Sequence, residues 1–298
     1  MSKFHLITWL CLLLSGCQTL PVASPNTPPI RFLLTFDDGP SAAPRGNTTL
    51  QILQQLDHNG VQPGIKALFF VQTRNAQGGG TERGQSLLHF KHHIGHALGL
   101  HSGTERGHIR HTSMSPKELS ASLRHGCDDL RTITGDETRF IRPTFWGYNK
   151  QSVDIYAANG LSMLLTDVNT RDGSRFNNLF GLRNRVYKEL QHAQQAIVRG
   201  QLPEHRGVVP IVVSFHDLNP ITAFFISNYL KLLTDEATAA GLRLADKPFY
   251  DTREEILEVA ALRAVTPSTL AQRDILSAPA PVVRATTAAR VTSDAFFD

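Results

Sequence analysis

The chain has 298 residues, 41% of them hydrophobic and 19% charged, with only three Cys. That apolar fraction supports one large domain or two small ones, and it excludes a disulfide-stapled mini-protein, a collagen-like chain and a wholly disordered one. Lys+Arg 30 against Asp+Glu 26 leaves +4, too weak a balance for the footprint of a nucleic-acid binder, whereas seven of the 13 His crowd between His89 and His111 and point toward metal.

Residues 1–16 carry the pattern of an export signal: Lys3, then the apolar run Leu6 to Leu14. The run is too short for a transmembrane helix, which needs about 20 residues, but it suits a signal peptide. It ends in Leu14-Ser15-Gly16-Cys17, which resembles a bacterial lipobox. The resemblance implies lipidation at Cys17, which would become the mature N-terminus. The alternative is an ordinary secretory signal with an incidental cysteine. Gln18 stands where inner-membrane lipoproteins carry Asp, which implies a lipid-anchored envelope protein on the outer membrane, facing the periplasm, if the host is Gram-negative. Residues 17–29, with the run Pro21 to Pro29, read as an extended tether. Cys11 leaves with the signal and Cys17 takes the lipid, so Cys127 remains as a lone thiol packed in a helix.

From Ile30 onward short apolar runs alternate with helical patterns. Expected strands are Arg31–Phe36, Lys66–Val71, His96–His101, Thr138–Ile141, Ser162–Thr166 and Val208–Phe215. Expected helices are Thr48–Asn59, Arg83–His92, Pro116–Thr132, Lys150–Ala158, Leu182–Arg199, Ile221–Ala240 and Thr252–Ala261. The third has a clear start, with Ser115 as cap, Pro116 at the first position and Glu118 at the third. This alternation predicts a parallel sheet covered by helices: an α/β fold, here an incomplete (β/α) barrel spanning residues 30–263. Residues 264–298, rich in Ala, Pro, Thr and Ser, are expected to form a flexible C-terminal tail.

The chemistry begins at Thr35-Phe36-Asp37-Asp38-Gly39-Pro40, where an apolar strand runs into two carboxylates and a turn. Adjacent carboxylates there need a cation or donors, and their divergence lets one bind metal while the other serves as a base. A solvated turn explains the same letters equally well. Four more stretches follow in order: Gly95-His96-Ala97-Leu98-Gly99-Leu100-His101-Ser102, Arg142-Pro143-Thr144-Phe145-Trp146-Gly147, Asp167-Val168-Asn169-Thr170-Arg171-Asp172, and Ile211-Val212-Val213-Ser214-Phe215-His216-Asp217. Together with the first they resemble the five motifs of the polysaccharide deacetylases (NodB-homology domain, carbohydrate esterase family four), spanning Phe32 to Asp217.

The resemblance implies a distorted, incomplete (β/α) barrel of the NodB type that removes N-acetyl groups from an envelope or exported polysaccharide. It makes Asp37 the base, Arg142 its holder, Phe145 the backbone oxyanion donor, His216 the general acid and Asp172 the residue that tunes His216. Asp38 and His101 become ligands of a divalent metal, zinc by preference. The family's next ligand histidine is replaced by Glu105. The third ligand is then Glu105, or His108 three residues on if the loop, with Gly103 and Gly107, adapts; a two-ligand site is the remaining option. His108 is favoured slightly. Thr144, Trp146 and Gly173 also depart from the pattern, and Trp146 is either a sugar-stacking wall or plain packing. His89, His92, His93 and His96 read as decoration of a helix end and strand entry. The expected partners are a polysaccharide substrate and, through Cys17, a membrane. A non-catalytic glycan-binding lipoprotein on the same fold, and an O-acetyl esterase, are the competing functions.

Overall fold

The structure, a computed structural model, describes residues 27–172 and 179–270. The signal segment, Cys17, most of the tether, Gly173 and the tail beyond residue 270 lie outside the described residues. Within them, eight strands and seven helices alternate: β1 (Ile30–Asp37), α1 (Thr48–Asp57), β2 (Leu68–Gln72), α2 (Glu82–His93), β3 (Ala97–Ser102), α3 (Pro116–Thr134), β4 (Phe140–Ile141), α4 (Lys150–Ala158), β5 (Ser162–Met163), β6 (Val168–Asn169), α5 (Leu179–Val198), β7 (Val209–His216), α6 (Pro220–Ala239), β8 (Leu244–Phe249) and α7 (Arg253–Arg263). The strands form one sheet in the order β5-β4-β3-β2-β1-β7-β6, and β8 pairs separately with β1. Every pairing between these strands is parallel.

The two edge strands, β5 and β6, are joined only by residues 164–167. So short a link spans at most about 17 Å at full extension, so the sheet must curl until its edges nearly meet. This is the incomplete barrel that the alternation implied. Thr166 Oγ1 donates to Val212 O at 2.9 Å, tying that link to β7.

Period-2 alternation divides the sheet's faces. On β1, Phe32, Leu34 and Phe36 join the larger core with α1, α3, α5 and α6, whereas Leu33 joins Leu68, Phe70, Val212 and the α7 residues Ile256, Val259 and Ala260. Thr35 and Asp37 continue the Leu33 side of the strand, and both are buried. Phe36 stacks on Phe69 at 5.0 Å and on Phe215 at 5.6 Å, locking the three central strands together immediately below the site. Each buried Phe contributes roughly 1.5–3 kcal/mol, and this triplet makes the centre of the sheet stiff.

The α3 start is as expected: Ser115 Oγ accepts from Glu118 N, and the Glu118 carboxylate accepts from Ser115 N, a complete capping box. Two strands escaped the sequence reading. β6 has only two residues, and β8 (LADKPF) lacks apolar alternation because Asp246 and Lys247 are exposed. β4 and β5 are shorter than expected, two residues each. Val265, placed with the tail from composition, is buried and forms an antiparallel bridge with Met163. Among the described residues, no helix is long and apolar enough to cross a membrane.

Candidate active site

The polar side chains converge at the carboxyl ends of the strands, where parallel α/β sheets place their sites. β1 ends in Asp37, and the chain turns sharply at Asp38, whose φ of 76° lies in the left-handed region. A non-glycine residue held there is strained, and such strain gathers at functional positions. Gly39 follows because nothing larger fits: a Cβ would fall 1.8 Å from Asp217 Oδ2.

Asp38, His101 and His108 each aim one donor atom at a common point, the three lying within 4.8 Å of one another. His101 Nε2 and His108 Nε2 are both 3.2 Å from Asp38 Oδ1. His101 Nδ1 lies 2.8 Å from Arg142 O, so that nitrogen carries the proton and Nε2 presents its lone pair. Burial would raise the Asp38 carboxyl, but the His101 hydrogen bond and the charges of His101, His108 and His216 hold it well below the usual range. Burial pulls the His108 imidazole below its ordinary value against the opposing charge of Asp38, favouring the neutral ligand form. One carboxylate and two imidazoles fit a divalent ion of the zinc class. Glu105 lies outside this cluster, exposed, beside Arg74 and Asp129 in a separate depression.

The second grouping is a buried carboxylate–guanidinium pair. Arg142 is wholly buried, and its Nη1 donates to Asp37 Oδ1 at 2.9 Å and to Thr35 Oγ1 at 2.5 Å. Its Nε donates to Leu164 O at 3.1 Å, and its guanidinium sits 4.3 Å from the Phe70 ring centroid. These contacts fix the fork, so the Asp37 carboxylate is oriented by a charge that cannot move away.

The third is a histidine–carboxylate pair. His216 Nδ1 lies 2.6 Å from Asp172 Oδ1, while Asp172 Oδ2 accepts from His216 N at 2.9 Å and from Thr222 Oγ1 at 2.5 Å. Burial alone would lower the His216 pKa, but the Asp172 hydrogen bond and the charges of Asp172, Asp37 and Asp38 outweigh it and lift it to about 9. The imidazole is therefore a cation at neutral pH.

Phe145 sits in a short 3-10 turn, Thr144–Trp146, with φ of 55° and half its surface exposed. Trp146 is partly buried, with the Arg142 guanidinium 5.1 Å from its ring, so packing on Arg142 describes it better than an open wall. His96 is buried, accepting from Ala67 N through Nδ1, and serves the fold. His89, His92 and His93 lie on α2, outside the donor cluster.

Three supports were missed in the sequence. His111 is buried, with Nε2 3.1 Å from His101 O and Nδ1 2.7 Å from Tyr156 Oη, so it braces the backbone of the first ligand histidine. Asp217 and Lys91 form a buried ion pair beside Gly39. Lys91 had a visible signal, since Gly84, Leu87, Leu88 and Lys91 share the buried face of α2.

A curled parallel sheet carrying an Asp–Arg pair, an Asp–His pair and a three-donor cluster at its carboxyl end defines a hydrolase-type centre. Residues 24–164 match the family model of the polysaccharide deacetylases. Its fold is similar to the chitin deacetylase of Colletotrichum lindemuthianum, at 20% identity and a TM-score of 0.54 over 76% of this chain and 91% of that one. It is similar to the peptidoglycan deacetylase PdaC of Bacillus subtilis, at 22% identity and a TM-score of 0.52 over 85% of this chain and 99% of that one. A family 4 carbohydrate esterase from Streptomyces lividans in complex with acetate aligns at 20% identity and a TM-score of 0.52, over 80% and 97% of the two chains. Among curated proteins, none matches the sequence.

Proposed function

We propose that the chain is a metal-dependent deacetylase that removes N-acetyl groups from an N-acetylglucosamine-type polysaccharide of the cell envelope or an exported one. The observation that carries this proposal is that the Asp38–His101–His108 donor cluster, the Asp37–Arg142 pair and the His216–Asp172 pair gather at the same carboxyl end of the sheet. Deacetylation needs an activated water, a charge stabiliser for the tetrahedral intermediate and a proton for a poor amine leaving group.

A divalent ion held by Asp38, His101 and His108, zinc by preference, would lower the pKa of water and polarise the acetyl carbonyl. Asp37 accepts the proton of the attacking water, and Arg142 keeps its carboxylate aimed. The Phe145 backbone N–H donates to the developing oxyanion. His216, held as a cation by Asp172, delivers its proton to the departing sugar nitrogen, after which the free amine and acetate leave. The deacetylases with similar folds support the polysaccharide class of substrate. Leu14-Ser15-Gly16-Cys17 supports a lipid on Cys17 that holds the enzyme at the envelope, on the outer membrane in a Gram-negative host.

The test is acetate release by the full chain from chitin oligomers, peptidoglycan and acetylated xylan. Release from the amides supports the proposal, and release only from xylan would identify an O-acetyl esterase. Incorporation of labelled palmitate into the chain, lost in Cys17→Ala, tests the anchor.

A further inference from the structure

The ligand histidine His108 hangs on the loop after β3, seven residues beyond His101, on a segment containing Gly103 and Gly107. Such a loop carries substantial conformational entropy, and an imidazole on it would bind metal weakly unless something held it beforehand. The Thr144–Trp146 turn provides that hold at three consecutive points. The Phe145 ring stacks on His108 with centroids 4.0 Å apart and planes inclined by 22°. Thr144 Oγ1 donates to Ile109 O. Arg110 packs on Gly147, where a Cβ would fall 2.8 Å from Arg110 Cγ, and its guanidinium lies 5.3 Å from the Phe145 centroid.

Phe145 adopts its positive φ to present the ring this way. A β-carbon residue rarely rests there, so the stack and the two neighbouring contacts must hold the turn in place. The ring face against His108 is closed to a sugar, so this contact serves the ligand and not the substrate. His108 in turn stacks on His101 at 5.3 Å, completing a row of three rings across the donor cluster.

We propose that the Phe145 side chain is a positioning residue for the metal ligand His108, so that the turn carrying the oxyanion N–H also sets metal affinity. This rests on the metal site proposed above. Restraint of His108 acts before the ion arrives, so removal of the ring raises the metal dissociation constant without removing a ligand. An aromatic stack of this kind corresponds to about a threefold to tenfold change.

The experiment is Zn2+ binding to the full chain, by competition with a chromophoric chelator, for the parent, Phe145→Ala, Phe145→Leu, Phe145→Tyr and His108→Ala. Phe145→Ala and Phe145→Leu should bind Zn2+ about threefold to tenfold more weakly, and Phe145→Tyr within about twofold of the parent. His108→Ala should weaken binding far more, and adding Phe145→Ala to it should change nothing further, because the ring acts only through His108. Phe145→Leu retains bulk, so folding of at least one informative variant is secured, and thermal melts identify any that unfolds. Equal Zn2+ affinity in the parent, Phe145→Ala and Phe145→Leu, or an equal loss in the His108→Ala background, overturns the proposal and leaves the metal site standing. A parent chain that binds no Zn2+ overturns the metal site itself.

Discussion

Asp37 and His216 are register partners at the ends of the adjacent parallel strands β1 and β7. Backbone pairing therefore fixes the separation of the proposed base and acid, independently of any loop. Asp217 N donates to Asp37 O at 2.9 Å, carrying the ladder one step past the pair. The two side chains have opposite partners, Arg142 against the carboxylate and Asp172 against the imidazole, and the second raises the His216 pKa to about 9.

The alkaline limb of activity should report His216. Its pKa of about 9 implies that turnover falls as pH rises through that value, because the proton needed by the amine is lost. Asp172→Asn removes the hydrogen-bonding charge and leaves the burial, so the limb should move down by more than about one pH unit and kcat should drop at least tenfold. A 15N-histidine titration measures it directly. The same linkage acts on stability: with the folded pKa raised above 6.5, the pair stabilises the fold fully below that pH and loses the contribution as pH rises through about 9. Asp172→Asn should therefore be destabilised more at pH 6 than at pH 10 in denaturant melts.

Asp37 is outside the donor cluster, so its chemistry and the metal's are separable. Asp37→Asn should lower kcat by about 100-fold or more while zinc content stays near that of the parent. Loss of both together would mean that Asp37 is a ligand.

Lys91 and Asp217 are both fully buried, and Thr49 Oγ1 donates to the same carboxylate at 2.8 Å. Lys91→Met leaves that carboxylate without its cation and should destabilise the fold by about 3–5 kcal/mol in chemical denaturation. Adding Asp217→Asn should recover part of the loss, since the uncompensated charge is gone.

His108→Ala should lower zinc content sharply, whereas Glu105→Ala should leave it unchanged, because only His108 joins Asp38 and His101. Metal analysis of the two purified variants checks this.

Most of the candidate site was legible because the motif residues sit at strand ends, where an apolar run breaks into charge. Asp37, His101 and His216 all carry that local signature. The sequence favours His108 over Glu105 only slightly, since the choice depends on how a glycine-containing loop folds over the Thr144–Trp146 turn. The roles of His111 and Lys91 were hidden for a different reason: the buried face of α2 marks Lys91, but the partners, Tyr156 and Asp217, are 45 and 126 residues away, and no local pattern encodes such pairs. β8 was missed because its polar residues are exposed, whereas β1, β2 and β7, buried on both faces, announce themselves as apolar runs.

The central claim is hydrolysis of N-acetyl groups at the Asp38–His101–His108 centre. Its most direct test is acetate release from N-acetylglucosamine oligomers by the full chain, before chelation, after chelation and after zinc is returned. The expected result is release that chelation abolishes and zinc restores, with none from His108→Ala. Release that survives complete metal removal, or no release from any acetylated polysaccharide by the zinc-loaded chain, would contradict it.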